Sequence, residues 1–294
     1  MSNAKSRFLI GFLVLLAFVL VGNVQAVPAV PDAPSAPNSP TAPNKPFALP
    51  NDAVKISEDV FRLRPSKDPG TGETVEAYAI IHKKAHFKNA PARVKSPTKT
   101  STASTCYGYL ASGAKWKWVE PWVVNSANNS GLSENFVLSS LGLGISKWED
   151  ATDGVVGNGV GVDVIGDGLA TPAALLADTV SPDDVNEVYF GAIEDPNTIA
   201  VTIVWGIFGG PTFQRKLVEW DQIYSNAYDW SASGEIGKMD FDNIGIHELG
   251  HSFGMNDLYT SFCSEQTMFG WAGLGETKKR TLEIGDINGI NKLY

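Results

Sequence analysis

Residues 247–257 read His247-Glu248-Leu249-Gly250-His251-Ser252-Phe253-Gly254-Met255-Asn256-Asp257, the pattern H-E-x-x-H-x-x-G-x-x-D. On a helix of about 3.6 residues per turn, histidines four positions apart lie about 40° apart, so both imidazoles leave one face and can share a metal ion. Ile246, Leu249 and Phe253 fall on roughly the opposite side and supply the apolar stripe of a core helix. Glu248 follows the first histidine and can stand beside a metal-bound water without being a ligand. Gly254 is the residue type that ends a helix in a left-handed turn. Asp257 then arrives where a third ligand is wanted. The rival reading, two hydrogen-bonded histidines on a buried helix with Glu248 as a surface charge, leaves the direction of the stripe unexplained.

The 294 residues, 43% of them hydrophobic, suit one large domain or two small ones. The net charge of −9 is unevenly spread: residues 1–105 carry +6 and residues 106–294 carry −15. So acidic a second part argues against nucleic-acid binding, which needs a basic face.

Lys5 and Arg7 precede an apolar run from Phe8 to Val21, and Val24-Gln25-Ala26 resembles a small-residue cleavage site. Residues 1–26 therefore read as a signal peptide, which implies export to a secreted, extracellular location; an uncleaved membrane anchor is the alternative. Residues 27–51 are dominated by Pro, Ala, Ser and Asn and read as an extended linker.

Residues 52–105 read as a small separate unit, with strands at Val60–Leu63 and Val75–His82 joined by a turn-rich segment. Its 10 basic and 6 acidic residues give it a charge opposite to that of the following part. Two readings stay open: a propeptide docked on the acidic domain, or an accessory domain retained in the mature protein. His82 and His86 share the i, i+4 spacing but lack the following Glu, and in a Lys-rich, β-biased setting they read as ordinary exposed histidines.

Cys106 and Cys263 are the two cysteines. An even pair in an exported chain favours a disulfide. The alternative is a Cys106 thiolate that caps the metal and holds the protein latent.

From residue 106 the pattern is α/β. Trp116–Val124, Val160–Ile165, Glu187–Ile193, Thr198–Trp205 and Leu217–Tyr224 are strand-like. Residues 133–152 read as a helix with Ser133 as N-cap and Val137, Leu141, Ile145 and Trp148 along one face. Asp240 and Asp242 suit the start of the metal helix, and residues 286–294 close the chain as an amphipathic helix.

This arrangement resembles the metzincin zinc endopeptidases, most nearly their matrixin-like branch, over residues 106–294. Thr267-Met268-Phe269-Gly270 is similar to the clan's methionine turn beneath the zinc. Lys147-Trp148 resembles the end of the first matrixin helix, Glu219–Tyr224 the strand before the metal helix, and residues 281–294 the closing helix. Asp257 departs from the matrixin third histidine and is similar to the snapalysin group, as is Cys263-Ser264-Glu265. The resemblance implies an α/β (α+β) domain with a mixed five-stranded sheet, an active-site helix, a Met-turn at Met268 and a C-terminal helix. It also implies a zinc metalloendopeptidase.

After residue 86 the only histidines are His247 and His251, so a carboxylate must complete the site. Asp257 has the better spacing, with Glu283 as the runner-up. Three protein ligands leave one position on zinc for water, whose pKa falls to about 7 when bound. Glu248 would then act as general base. Calcium is a further candidate cofactor, at Asp163 and Asp167 or among the acids near 183–187.

The expected partner is a protein or peptide substrate, extended along an edge strand. The resemblance suggests Thr198–Trp205 for that edge, with residues 269–275 lining a side-chain pocket. No nucleic acid is expected, a membrane only through an uncleaved N-terminus, and a monomer otherwise. A catalytically silent metal-binding or adhesion module of the same fold is the competing class, and the intact Glu248 weighs against it.

Overall fold

The computed structural model describes residues 45–85 and 103–294. The expected signal peptide 1–26, most of the linker and His86 lie outside them. Four strands precede residue 85: β1 (Val54–Lys55), β2 (Val60–Arg62), β3 (Ser66–Lys67) and β4 (Thr74–Lys84). Five follow: β5 (Glu120–Asn125), β6 (Ile165–Ala170), β7 (Asn186–Gly191), β8 (Thr198–Ile207) and β9 (Lys216–Ser225). Three short ones complete the set: β10 (Trp230–Ser231), β11 (Met239–Asp240) and β12 (Trp271–Ala272). The helices are α1 (Glu134–Asp150), α2 (Phe241–Ser252) and α3 (Ile284–Leu293).

The main sheet runs β1-β2-β4-β8-β9-β7-β5-β6, with β3 and β12 also paired to β4, ten strands in all. Strands β6, β5, β7 and β9 are parallel, and β8 reverses direction beside β9. The fold is thus a mixed α/β sheet with three α-helices among the described residues. Four of the five strands expected after residue 106 are present and the fifth is displaced, while the sheet is twice the expected five because four N-terminal strands and β12 join it. Val60 pairs with Ile80, and β4 pairs antiparallel with β8 from Glu76 to Lys83. Residues 52–84 therefore do not fold apart; they belong to the same compact unit as the rest of the described chain. Even the end of the linker docks, where the Phe47 amide donates to the carbonyl of Ala192 at 2.7 Å.

One strand was displaced. Val160 and Val162 alternate as a strand would, yet both are exposed, and β6 begins at Ile165. Asp150 accepts from the amides of Gly157 and Gly159, and Glu149 from those of Val164 and Ile165. Val160 and Val162 themselves donate to the Asn158 amide oxygen and the Thr152 hydroxyl, so side chains take the amides that a strand partner would have needed. Gly168 in β6 lies under Trp122, where a Cβ would come 2.2 Å from the indole.

Helices α1 and α2 pack on one face of the sheet. Ser133 caps α1 by accepting from the Phe136 amide at 3.2 Å, and Val137, Leu141, Ile145 and Trp148 are buried as the periodicity requires. Gly144 lets α2 approach, since a Cβ there would stand 2.6 Å from Leu249. Asp240 caps α2 by accepting from the Asn243 amide at 2.9 Å. Beneath this face lies the larger apolar cluster, and a second one, with Val75, Ala77, Val201 and Trp205, covers the opposite face. Cys106 and Cys263 form a disulfide that spans 157 residues of sequence, so neither is the free thiolate of the latch reading. Among the described residues no helix is long and apolar enough to cross a membrane.

Candidate metal centre

Helix α2 is buried on both sides: Ile246, Leu249 and Phe253 face the core, while His247, Glu248 and His251 are covered from the other side. Gly254, at φ +98°, reverses the chain after the helix and returns Asp257 to the two rings. Asp257 Oδ1 lies 3.2 Å from His247 Nε2 and 3.7 Å from His251 Nε2. The three form one cluster with ligand atoms within 4.8 Å of one another.

The ring tautomers follow from the other nitrogens. His247 Nδ1 faces the carbonyl of Thr267 at 2.7 Å, and His251 Nδ1 that of Met255 at 3.0 Å. A carbonyl only accepts, so Nδ1 of His251 carries the proton. At His247 the Lys279 Nζ also stands 3.2 Å from Nδ1, but the shorter 2.7 Å carbonyl contact favours the proton there, leaving each Nε2 with a lone pair. Both Nε2 atoms and Asp257 Oδ1 are buried without a hydrogen-bond partner. Burial pushes His247 down to about 4 and also lowers His251, which keeps both rings neutral. Burial alone would raise the Asp257 carboxyl, but nearby positive charge, that of buried Lys279 included, outweighs it and holds the group ionised. Two neutral imidazoles and one carboxylate, all unsatisfied and aimed at one point, are a donor set a divalent metal satisfies. Glu283 is exposed at the N-cap of α3, away from this cluster.

Met268 is fully buried against the same helix: a Cβ on Gly250 would stand 2.3 Å from its sulfur. Its turn is held by Asp286, whose carboxylate accepts from the amides of Thr267 at 2.7 Å, Met268 at 3.2 Å and Glu283 at 3.0 Å. Sequence reading passed over Asp286, because a lone acid in a final helix carries no signal of what it holds.

His82 overturns its sequence reading. It is fully buried, its ring centroid is 4.0 Å from that of His247, and its Nδ1 lies 2.8 Å from Glu248 Oε1. Burial lowers its pKa, so the neutral ring donates from Nδ1. Thr202 donates to the other Glu248 oxygen at 2.6 Å. Buried Lys279 places Nζ 3.5 Å from His82 Nε2 and within reach of the Phe269 carbonyl. His82, His247 and Glu248 also form a possible ligand cluster. The His247, His251, Asp257 cluster fits a metal better, because its three donor atoms have no other partner while both Glu248 oxygens are taken. The Lys-rich context of His82 concealed this, since only the pairing of β4 with β8 brings it to α2.

The N-terminal segment closes over Asp257 as well. Tyr259 lies 3.1 Å from both Asp257 Oδ2 and Asp59 Oδ2, and Lys83 pairs with Asp59 at 2.7 Å. Asp163 and Asp167 join no cation cluster among the described residues, whereas Asp178, Asp183 and Glu219 form one.

No family model matches the chain, and no curated protein is detectably similar to it in sequence. Among solved structures, metalloproteinase-II from Bacteroides fragilis is similar with a TM-score of 0.33 and 11% identity, over 81% of this chain and 77% of that one.

Proposed function

We propose that this chain is an exported zinc-dependent endopeptidase, made in a form whose own strand β4 fills the substrate groove. The observation that carries the peptidase reading is the convergence of His247 Nε2, His251 Nε2 and Asp257 Oδ1, each buried and unpartnered, beside the Glu248 carboxylate. Zinc held by such a set polarises a carbonyl and makes water acidic enough to attack it near neutral pH. The carbonyls of Thr267 and Met255 fix the two rings, and the Met268 turn supports them from below. Glu248 would serve as base toward a metal-activated water and as acid toward the leaving nitrogen.

Latency is supported by what β4 touches. A substrate of the expected kind would lie extended on β8 and alongside residues 269–275. Strand β4 makes both pairings, antiparallel to β8 and parallel to β12 at Lys83 and Lys84. Its His82 also occupies Glu248 Oε1, the proton-accepting position. Lys88, Arg93, Lys95 and Lys99 follow in sequence and offer basic sites at which a processing protease would separate β4 from Cys106.

Casein hydrolysis by the processed protein, abolished by a chelator and restored by zinc, tests the peptidase reading. Purified protein that binds no metal would sink it. N-terminal sequencing tests latency: the active form is expected to begin between residues 86 and 106, and an active form beginning at residue 27 would discard it.

A further inference from the structure

The face of the sheet turned away from α2 carries a second group of buried acids. Glu219 and Asp221 of β9 are 0% and 1% exposed and lie under the loop 171–185 that joins β6 to β7. Glu219 Oε2 accepts from the amides of Asp183 at 2.7 Å and Asp184 at 2.6 Å, and Asp221 accepts from the Asp178 amide at 2.8 Å. These bonds bring one carboxylate oxygen each from Asp178, Asp183 and Glu219 within 4.8 Å of one another. No lysine or arginine of the described residues forms an ion pair with any of them.

Acids gathered in this way repel unless a cation or a proton joins them. Burial, followed by the neighbouring acids, pushes Asp178 up to about 6 and Glu219 up to about 8. A separate observation points to what is missing. Glu219 Oε1 is buried and has no hydrogen-bond partner, although its sister oxygen takes two amides. A fully buried carboxylate oxygen left unsatisfied is costly, and it belongs to the very carboxylate that groups with Asp178 and Asp183.

We propose that Asp178, Asp183 and Glu219 bind a calcium ion that pins loop 171–185 to the outer face of the sheet. The donors are all oxygens, which excludes the nitrogen- and sulfur-seeking metals. Two oxygens that share a calcium at about 2.3–2.6 Å stand at most about 5 Å apart, in keeping with this grouping. Calcium tolerates irregular geometry supplied by a loop, whereas magnesium demands a near-ideal octahedron. Asp183 is exposed, so water can complete the shell. The site is on the opposite side of the sheet from His247 and does not depend on the peptidase reading.

The test uses the full-length, zinc-loaded chain stripped of calcium at pH 8. Terbium serves as the probe, because the Trp205 indole nitrogen donates to the Asp178 carbonyl at 2.9 Å and can sensitise a bound lanthanide. One saturable terbium site displaced by calcium is expected. Calcium at a hundredfold excess over its dissociation constant is expected to raise Tm by roughly 5–10 °C. Both effects should vanish in Glu219→Gln and also in Asp183→Asn, an exposed position where folding is spared. A terbium signal that persists in both variants, or an absent calcium shift in the parent, would overturn the site. A calcium-free Glu219→Gln protein as stable at pH 8 as the calcium-loaded parent would mean that a shared proton, not an ion, joins the acids. An equal shift with magnesium would overturn the choice of ion.

Discussion

Cutting the chain between Ala85 and Cys106 is not expected to open the groove at once. Strand β4 pairs with β8 at eight positions, Glu76 to Lys83. At about 0.5–1.5 kcal/mol net per hydrogen bond, those pairings contribute roughly 4–12 kcal/mol. Val75, Ile80 and Ile81 are buried, and each adds about 1.5–3 kcal/mol. Association of a severed fragment costs about 4–15 kcal/mol in lost freedom. Midway through these ranges the net is about 5 kcal/mol, a dissociation constant of roughly 0.1–0.2 mM. A single protease site placed within residues 86–102 and cleaved on purified protein therefore gives a concentration-dependent enzyme. The fragment should stay bound and suppress peptide hydrolysis at about 1 mM, then leave and release activity below about 10 µM. A synthetic peptide of residues 74–84 should inhibit the stripped enzyme competitively. Cut protein that retains the fragment yet hydrolyses peptide as fast as stripped protein would refute the reasoning, because β4 would then lie outside the substrate path.

Glu248→Gln preserves the contact with Thr202 but removes the base, so zinc content by mass spectrometry should stay unchanged while kcat falls about 10²–10⁴-fold. Asp286→Ala strips three amides around the Met268 turn of their acceptor and is expected to cost at least about 3 kcal/mol in urea unfolding. Replacing both Cys106 and Cys263 by Ser releases a loop of 157 residues, and chain entropy sets the loss at no more than about 5 kcal/mol, read from the urea midpoint. The acids around Glu219 give a pH signature. The folded-state pKa of Glu219, about 8, is above its ordinary 4.5, so its protonation favours the native state. Calcium-free protein should accordingly lose stability as pH rises from about 4.5 to about 8, and saturating calcium should flatten that slope, as followed by Tm.

Local signals carried most of the second part of the chain. Ser133 before a 3.6-residue apolar period yielded α1, and Asp240 and Gly254 bracketed α2, because caps and periodicity act within a few residues. The valines at 160 and 162 misled because the Asn158 amide oxygen, the Thr152 hydroxyl and the Glu149 carboxylate claimed amides that β-pattern alone assigned to a strand. His82, Lys279 and Asp286 were silent for a different reason. Each acts through a contact with a residue far along the chain, and His82 is 166 positions from Glu248. The ten-stranded sheet was missed likewise, since no feature within Val75–His82 announces that β8 is its neighbour.

The Cys106–Cys263 bond determines which side of a processing cut can move. Cys106 stays stapled to the segment leading into Met268, so a new terminus created upstream would begin from a fixed anchor a few residues away. The severed N-terminal piece would have no covalent hold on the remainder. Departure would then be a one-sided peeling, and the ligand-bearing helix would keep its floor while its ceiling lifted off.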